Sequence, residues 1–477
     1  MASLRCSIRD RATGAPLDGK VHVLSSLGTF VSPSGAILKI GSGVPFFYAQ
    51  GGFEVELPVG HADVIVERGT EFVPSRSTVR IPTEGTVELE VALSRWTNLP
   101  DAGWYPGNTH LHYDEKETRP NERLAFDSEV EDYNVTVISV LQRGQLPYAS
   151  NQYAPGVFNE LTTSHHVVDV GEESRHNASA TSIGYGHVMF INIRNLVEPV
   201  SRGQLASNLD PDYPPLCWAC DEAREQDGVT IWCHNGRGME APVAAVLGKL
   251  DAFNLFDPLW ADLEYTIYYQ LLNAGIRLPA STGTDWFVCS SNRVYVGTES
   301  EFSYQAWLDG MKAGSTFITN GPSLMLEVDG QPVGAVLTPG RPRRLGCRVS
   351  WESHYPVTLA ELIVNGEVAA RMGIPAPGKR GAWDVDISVE HDSWVAARLW
   401  GDARNSFDHA VYAHTSPVYV ETGRTHPVRS QSARLLIQSL DRSLDWINTR
   451  GRYASDGQRN AVSELFLEAR AKYAELV

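Results

Sequence analysis

The 477-residue chain exceeds what one hydrophobic core supports, so two to four domains are expected; its 43% hydrophobic content and 27 dispersed prolines mark it as globular throughout. A formal charge of −17 and a pI near 5.3 argue against a protein that embraces nucleic acid and make a neutral or cationic small molecule the easier partner. The N-terminus has no apolar leader and no run of about eighteen apolar residues occurs, so the expectation is a soluble, cytoplasmic protein without a membrane span.

Residues 1–98 read as strands, because Lys20–Leu24, Gly52–Leu57, Ala62–Val66 and Thr86–Val91 alternate apolar and polar residues between Gly and Pro. They predict a small β-sandwich. From 99 to 325 the pattern becomes apolar strands (Thr136–Leu141, His187–Ile193, Val229–Cys233, Phe253–Phe256) separated by helices over Cys217–Gln226 and Pro258–Ala274. That alternation predicts a parallel sheet or an α/β barrel. Strands return over 326–425, around Leu362–Val364, Trp394–Trp400 and Pro417–Val420, after an earlier one at Leu324–Val328; they form a second β domain. Apolar stripes at Leu436, Leu440, Leu444 and Ile447, and at Val462, Leu465, Phe466, Ala469 and Tyr473, close the chain over 426–477 as a helical hairpin.

Six cysteines, at 6, 217, 220, 233, 289 and 347, form no repeated framework and read as reduced thiols. Cys217-Trp-Ala-Cys220 has the spacing of half a zinc knuckle, but no second pair follows, so two cysteines on one helical turn is the simpler account. The histidines carry more: half of the fourteen, at 110, 112, 165, 166, 176, 187 and 234, fall within residues 110–234. In His110-Leu-His112 two imidazoles share one side of an extended strand, because residues i and i+2 face the same way. His234 ends a predicted strand, Asp285 follows Pro279–Thr284, and Glu172 precedes the turn that leads to His187. Imidazoles and carboxylates together suit Zn, Mn or Fe at a reactive site.

These residues sit in motifs that resemble the PHP superfamily (polymerase and histidinol phosphatase), and within it the CehA/McbA, carbaryl hydrolase-like branch. The motifs are Arg95-Trp96, Gly103–His112, Gly186-His187, Cys233-His234, Ser281–Asp285, Gly314–Pro322 and Ala413–Val420, spread over nearly the whole chain. The resemblance implies an α/β fold with all-β accessory domains: a distorted (β/α)7 PHP-type barrel flanked by an N-terminal β-sandwich and a C-terminal β domain plus helical hairpin. It also implies that His110, His112, Glu172 and Asp285 hold one metal ion, and that Glu172 bridges to a second completed by His187 and His234. Glu173 is the alternative bridging carboxylate. The third metal of the family is not expected, since 113–119 hold no His, the strand end reads Ile138–Gly144 and position 287 is Phe; Gln142, Arg143 or Phe287 would refill that pocket. The implied cofactors are therefore two divalent ions (Zn, Mn or Fe).

A two-metal site suits a carboxyl or carbamoyl centre, so the expected activity is hydrolysis of an ester or carbamate of a small, aromatic molecule through a metal-bridging hydroxide, with Asp285 relaying the proton. Around it, Arg143, His165, His166, His176 and Arg237 are candidates to stabilise the oxyanion or leaving group, and Tyr148, Tyr153, Tyr185, Trp286 and Phe287 to line an apolar pocket. PHP-type phosphoester hydrolysis is the alternative enzyme reading, and a non-catalytic metal-containing binding protein the alternative outside enzymes. A homo-oligomer is compatible with the two β domains.

Overall fold

The computed structural model describes residues 2–41, 44–179, 182–256, 265–285, 288–289, 291–405 and 407–477. In the N-terminal part, Ala2–Asp10 pairs antiparallel with Gly52–Leu57 and parallel with Thr86–Arg95, while Gly19–Leu24 lies between Val44–Ala49 and Gly60–Glu67 in a second sheet. Alternation drives the packing: Leu4, Cys6 and Ile8 from the first sheet meet Val21, Val23, Val64 and Val66 from the second in one core.

A charged seam joins this part to the remainder. Lys20 lies 3.0 Å from Glu131, whose carboxylate also meets Arg293, and Arg95 lies 2.6 Å from both Glu71 and Asp132. The Tyr295 hydroxyl donates to Glu71 at 2.9 Å, and Arg68 pairs with Glu129 at 2.7 Å.

The central region corrects the barrel expectation. Trp104–Leu111, Val135–Val140 and Val167–Ser179 run parallel, but Ser182–Ile191 returns antiparallel beside the last of them, and Val229–Trp232 is antiparallel to that return strand. Val229–Trp232, Ala252–Phe256 and Ala280–Thr282 then resume parallel pairing, as does the short Ser201–Gly203 strand beside Val167–Ser179. A (β/α) barrel needs every strand parallel and followed by a crossover helix; here the 167–179 and 182–191 strands are joined too tightly for any helix. On its other flank, Trp104–Leu111 continues antiparallel through Arg293–Gly297, Thr316–Thr319 and Ala410–Thr415, so C-terminal strands belong to the same curled, seventeen-stranded sheet. Strand makes up 40% and helix 21%: the fold is mostly β, and no (β/α)7 barrel is present among the described residues.

Helices cover only parts of the sheet. Leu216–Glu225 forms where Glu240 accepts from the Leu216 and Cys217 amides, which are otherwise unbonded in a first turn. Of the helix expected over 258–274, Thr266–Asn273 is helical, whereas Leu259 and Leu263 lie outside the described residues. Pro427–Thr449 and Asp456–Ala474 pack Leu436, Leu440, Ile447, Val462 and Phe466 into the same core as Trp232 and Tyr268. His414, Thr415 and Ser416, from a motif noted in the sequence, are buried: His414 Nε2 is 2.8 Å from the Tyr269 hydroxyl and Ser416 accepts from the Ala280 amide. No helix among the described residues is long and apolar enough to cross a membrane.

Candidate metal centre

His110 and His112 stand on one side of the Trp104–Leu111 strand and just beyond it, their Nε2 atoms 2.9 Å apart. The segment after Ala280–Thr282 closes against them: the Thr284 and Asp285 amides both donate to the His110 carbonyl, at 3.0 and 2.7 Å. Asn108 Oδ1 also accepts from the Thr284 and His110 amides. Gly283 is required here, since a Cβ would come within 2.4 Å of the His110 side chain. Asp285 then turns through a left-handed φ of 48°, costly for a non-glycine residue, which brings Oδ1 to 3.3 Å from His110 Nε2.

Glu173 occupies the middle. Its carboxylate lies 3.1 Å from His112 Nε2, 3.0 Å from His187 Nδ1 and 3.2 Å from His234 Nε2. Glu172 does not join them. Consecutive strand residues face opposite sides, so Glu172 points behind the sheet, where it accepts from the Val197 amide at 2.6 Å. Burial pushes its carboxyl up to about 8. The bridging position expected of Glu172 is therefore filled in this geometry by Glu173.

The protonation pattern fits a cation. His112 Nδ1 is 2.9 Å from the Ser139 carbonyl and His187 Nε2 is 2.8 Å from Asn177 Oδ1, so each proton sits on that nitrogen and leaves the inward-facing nitrogen with a lone pair. Burial, then the charge of Arg175, pushes His187 down to about 3, keeping it neutral. Burial alone would raise the Glu173 carboxyl, but the charge of Arg175 holds it well below the usual carboxylate range. For His110, burial opposes the charge, yet Asp285 and Glu173 raise it above the ordinary imidazole value. His112 and His187, with lone pairs turned inward beside the ionised Glu173, are in the ligand states metal binding requires, and His110 must give up its proton to join them. Two triads result, His110–His112–Asp285 and Glu173–His187–His234, each with donor atoms within 4.8 Å of one another and every residue buried. A carboxylate with four imidazoles in a buried cluster suits one or two divalent ions of the Zn, Mn or Fe type.

The other candidates scatter. His176 shares the rear face with Glu172 and Ser174; its Nε2 is 2.9 Å from Asp212, it accepts from the Tyr185 amide and it stacks on Tyr185, a structural role. His165 is exposed and His166 meets the Tyr133 carbonyl; both precede Val167, which pairs with Val135 at the start of these strands, opposite the end that carries the cluster. Tyr185 donates to the Asp212 carbonyl and Tyr153 to Asn121, away from the cluster. Arg143 is exposed near Tyr148, Gln142 accepts from Ser201 through its carbonyl, and Arg237, three residues after His234, receives a hydrogen bond from Trp232 on its carbonyl. Trp286 and Phe287 lie outside the described residues. The group that sequence reasoning missed is Arg175, whose Nε lies 3.2 Å from Glu173 Oε2. Its signal was parity, two residues after Glu173 on the same face of the strand.

No family model matches the chain. No curated protein matches it either. Among solved structures, apo Bacteroides uniformis β-glucuronidase 3 is 11% identical with a TM-score of 0.16, over 88% of this chain and 63% of that one. The four N-terminal immunoglobulin domains of Dscam1 isoform 8.4 are 10% identical with a TM-score of 0.13, over 87% of this chain and 96% of that one. This chain spans less than two thirds of the glucuronidase, and likeness this slight carries no argument about fold or function.

Proposed function

We propose that the chain is a metal-dependent hydrolase that holds two divalent ions (Zn, Mn or Fe) between His110, His112 and Asp285 on one side and His187 and His234 on the other, with Glu173 between them. The observation that carries the reading is the convergence of four imidazoles on one buried carboxylate, with the tautomers of His112 and His187 set by Ser139 and Asn177. Similarity of the ligand motifs to carbaryl hydrolase-like proteins directs the choice of substrate to an ester or carbamate of a small aromatic molecule. Bound ions supply an activated water and Lewis-acid polarisation of the carbonyl. Asp285, at the edge of the cluster with 7% of its surface exposed, accepts the proton that the attacking water loses. Ser139 and Asn177 hold the imidazoles in their donor orientation, and Arg175 adds a positive charge where negative charge accumulates.

Arg175 also favours a second reading, phosphoester hydrolysis, because a guanidinium beside the cluster suits an anionic substrate oxygen. All six cysteines are buried and form no disulfide with one another, which suits a reducing compartment, and we place the protein in the cytoplasm. The test is elemental analysis of purified protein followed by turnover of p-nitrophenyl acetate and aryl carbamates against p-nitrophenyl phosphate. The expected result is about two metal equivalents per chain and ester or carbamate turnover lost on chelation and restored by metal. Faster phosphate turnover selects the second reading; no metal bound, before or after reconstitution, overturns both.

A further inference from the structure

Resting on the metal-centre reading above, we propose that Cys233 is a further donor, whose thiolate joins His110 and Glu173 around one ion and biases the centre toward thiophilic metals such as Zn(II) and Co(II). Cys233 is completely buried, and its sulfur and the donor atoms of His110 and Glu173 all lie within 4.8 Å of one another. The local backbone explains how two consecutive side chains reach one site. Cys233 is extended, with φ −90° and ψ 173°, and its amide donates to the His187 carbonyl at 3.1 Å, continuing the pairing of Val229–Trp232. In extended chain, residues 233 and 234 would face opposite sides. The left-handed φ of 52° at His234 breaks that alternation and directs its imidazole to Glu173 while Cys233 stays beside His110 and Glu173.

The Cys233 sulfur also lies 3.8 Å from the Ile231 carbonyl, a weak contact that yields readily to a metal bond. Forming the sulfur–metal bond releases the S–H proton to solvent, with no change in oxidation state. By contrast Cys217 and Cys220, the pair with knuckle-like spacing, lie on a helix near Glu240 and join none of the metal-sized groups among the described residues. Sulfur in a set otherwise made of nitrogen and oxygen shifts preference from Mn toward Zn and Co.

Co(II) substitution of the full chain tests this apart from activity. The expected spectrum has ligand-field bands together with a near-ultraviolet thiolate-to-cobalt charge-transfer band, and Cys233→Ala keeps the former and loses the latter. Zinc binding in Cys233→Ala should weaken by at least about tenfold, the loss that even a ligand's hydrogen-bond partner brings when removed. X-ray absorption on the zinc-loaded wild type needs no variant and should show a sulfur shell at about 2.3 Å. Ligand-field bands without charge transfer, a charge-transfer band unchanged in Cys233→Ala, or no sulfur shell would overturn the role of Cys233 and leave the centre standing. No cobalt uptake at all would overturn both.

Discussion

Two clusters of charged side chains draw on interleaved stretches of the chain and differ in one respect. In the seam, Glu131 is matched by Lys20 and Arg293, and Glu71 and Asp132 by Arg95. At the centre, two carboxylates face four imidazoles, and Arg175 is the one strong base beside them among the described residues. A seam that carries its own countercharge is complete as folded, because a buried carboxylate must be paired. The cluster of imidazoles and carboxylates has Arg175 beside it but no such matching countercharge among the described residues, which is what the proposed metal site rests on. Burial of charge alone does not mark a site; an excess of donors over the protein's own cations does.

Breaking the seam should give the largest effect. Arg293 is fully buried and donates to the Glu131 carbonyl at 2.8 Å as well as to its carboxylate. Arg293→Ala should destabilise the fold by about 3–5 kcal/mol in urea melts, equally with and without chelator. The centre should behave in the opposite way. With metal at about a hundredfold its Kd the wild type gains about 2.7 kcal/mol; Glu173→Gln should lose that metal-dependent gain and bound metal in elemental analysis, whereas Glu172→Gln should keep both. An equal loss of metal from both variants would refute the assignment by face.

The seam also predicts a pH dependence. Burial, then the charge of Asp132, pushes Glu71 up to about 7 from its ordinary value of 4.5, against the pull of Arg95. A carboxyl raised on folding contributes stability that is fully present below its unfolded pKa and is lost as pH rises through the folded value. Glu71→Gln should therefore gain on the wild type between about pH 4.5 and 7, by on the order of 2 kcal/mol after discounting for coupling to its partners. Thermal melts of both proteins at pH 5 and 8 check the sign. The smallest effect belongs to His165, exposed at the far end of the strands: His165→Ala should shift stability by less than about 0.5 kcal/mol and leave metal content unchanged.

The side chains that converge were largely legible because HxH on a strand and His or Asp at strand ends are local signals. Which of Glu172 and Glu173 faces inward was not, because consecutive carboxylates differ only in register, and register is set by pairing of Glu172 with Phe190 and Glu173 with Met189. The same strand hid the true fold. Val167–Ser179 carries Asp169, Glu172, Glu173, Arg175 and His176, so its apolar alternation is erased, and the return strand, legible as His187–Ile193, had no visible antiparallel partner. Gly52–Leu57, with its glutamates only on the solvent side, showed in the pattern directly.

The shared carbonyl of His110 has a further consequence, for the order of assembly. Thr284 and His110 are 174 residues apart, yet the amides of Thr284 and Asp285 dock on that one acceptor. During synthesis, the first histidines emerge long before the segment that brings the last carboxylate, so the ligand cage is completed only when this late segment docks. In the proposed hydrolase, metal capture would then follow closure of the curled sheet, and metal uptake would serve as a clock for one of the last folding events in this part of the chain.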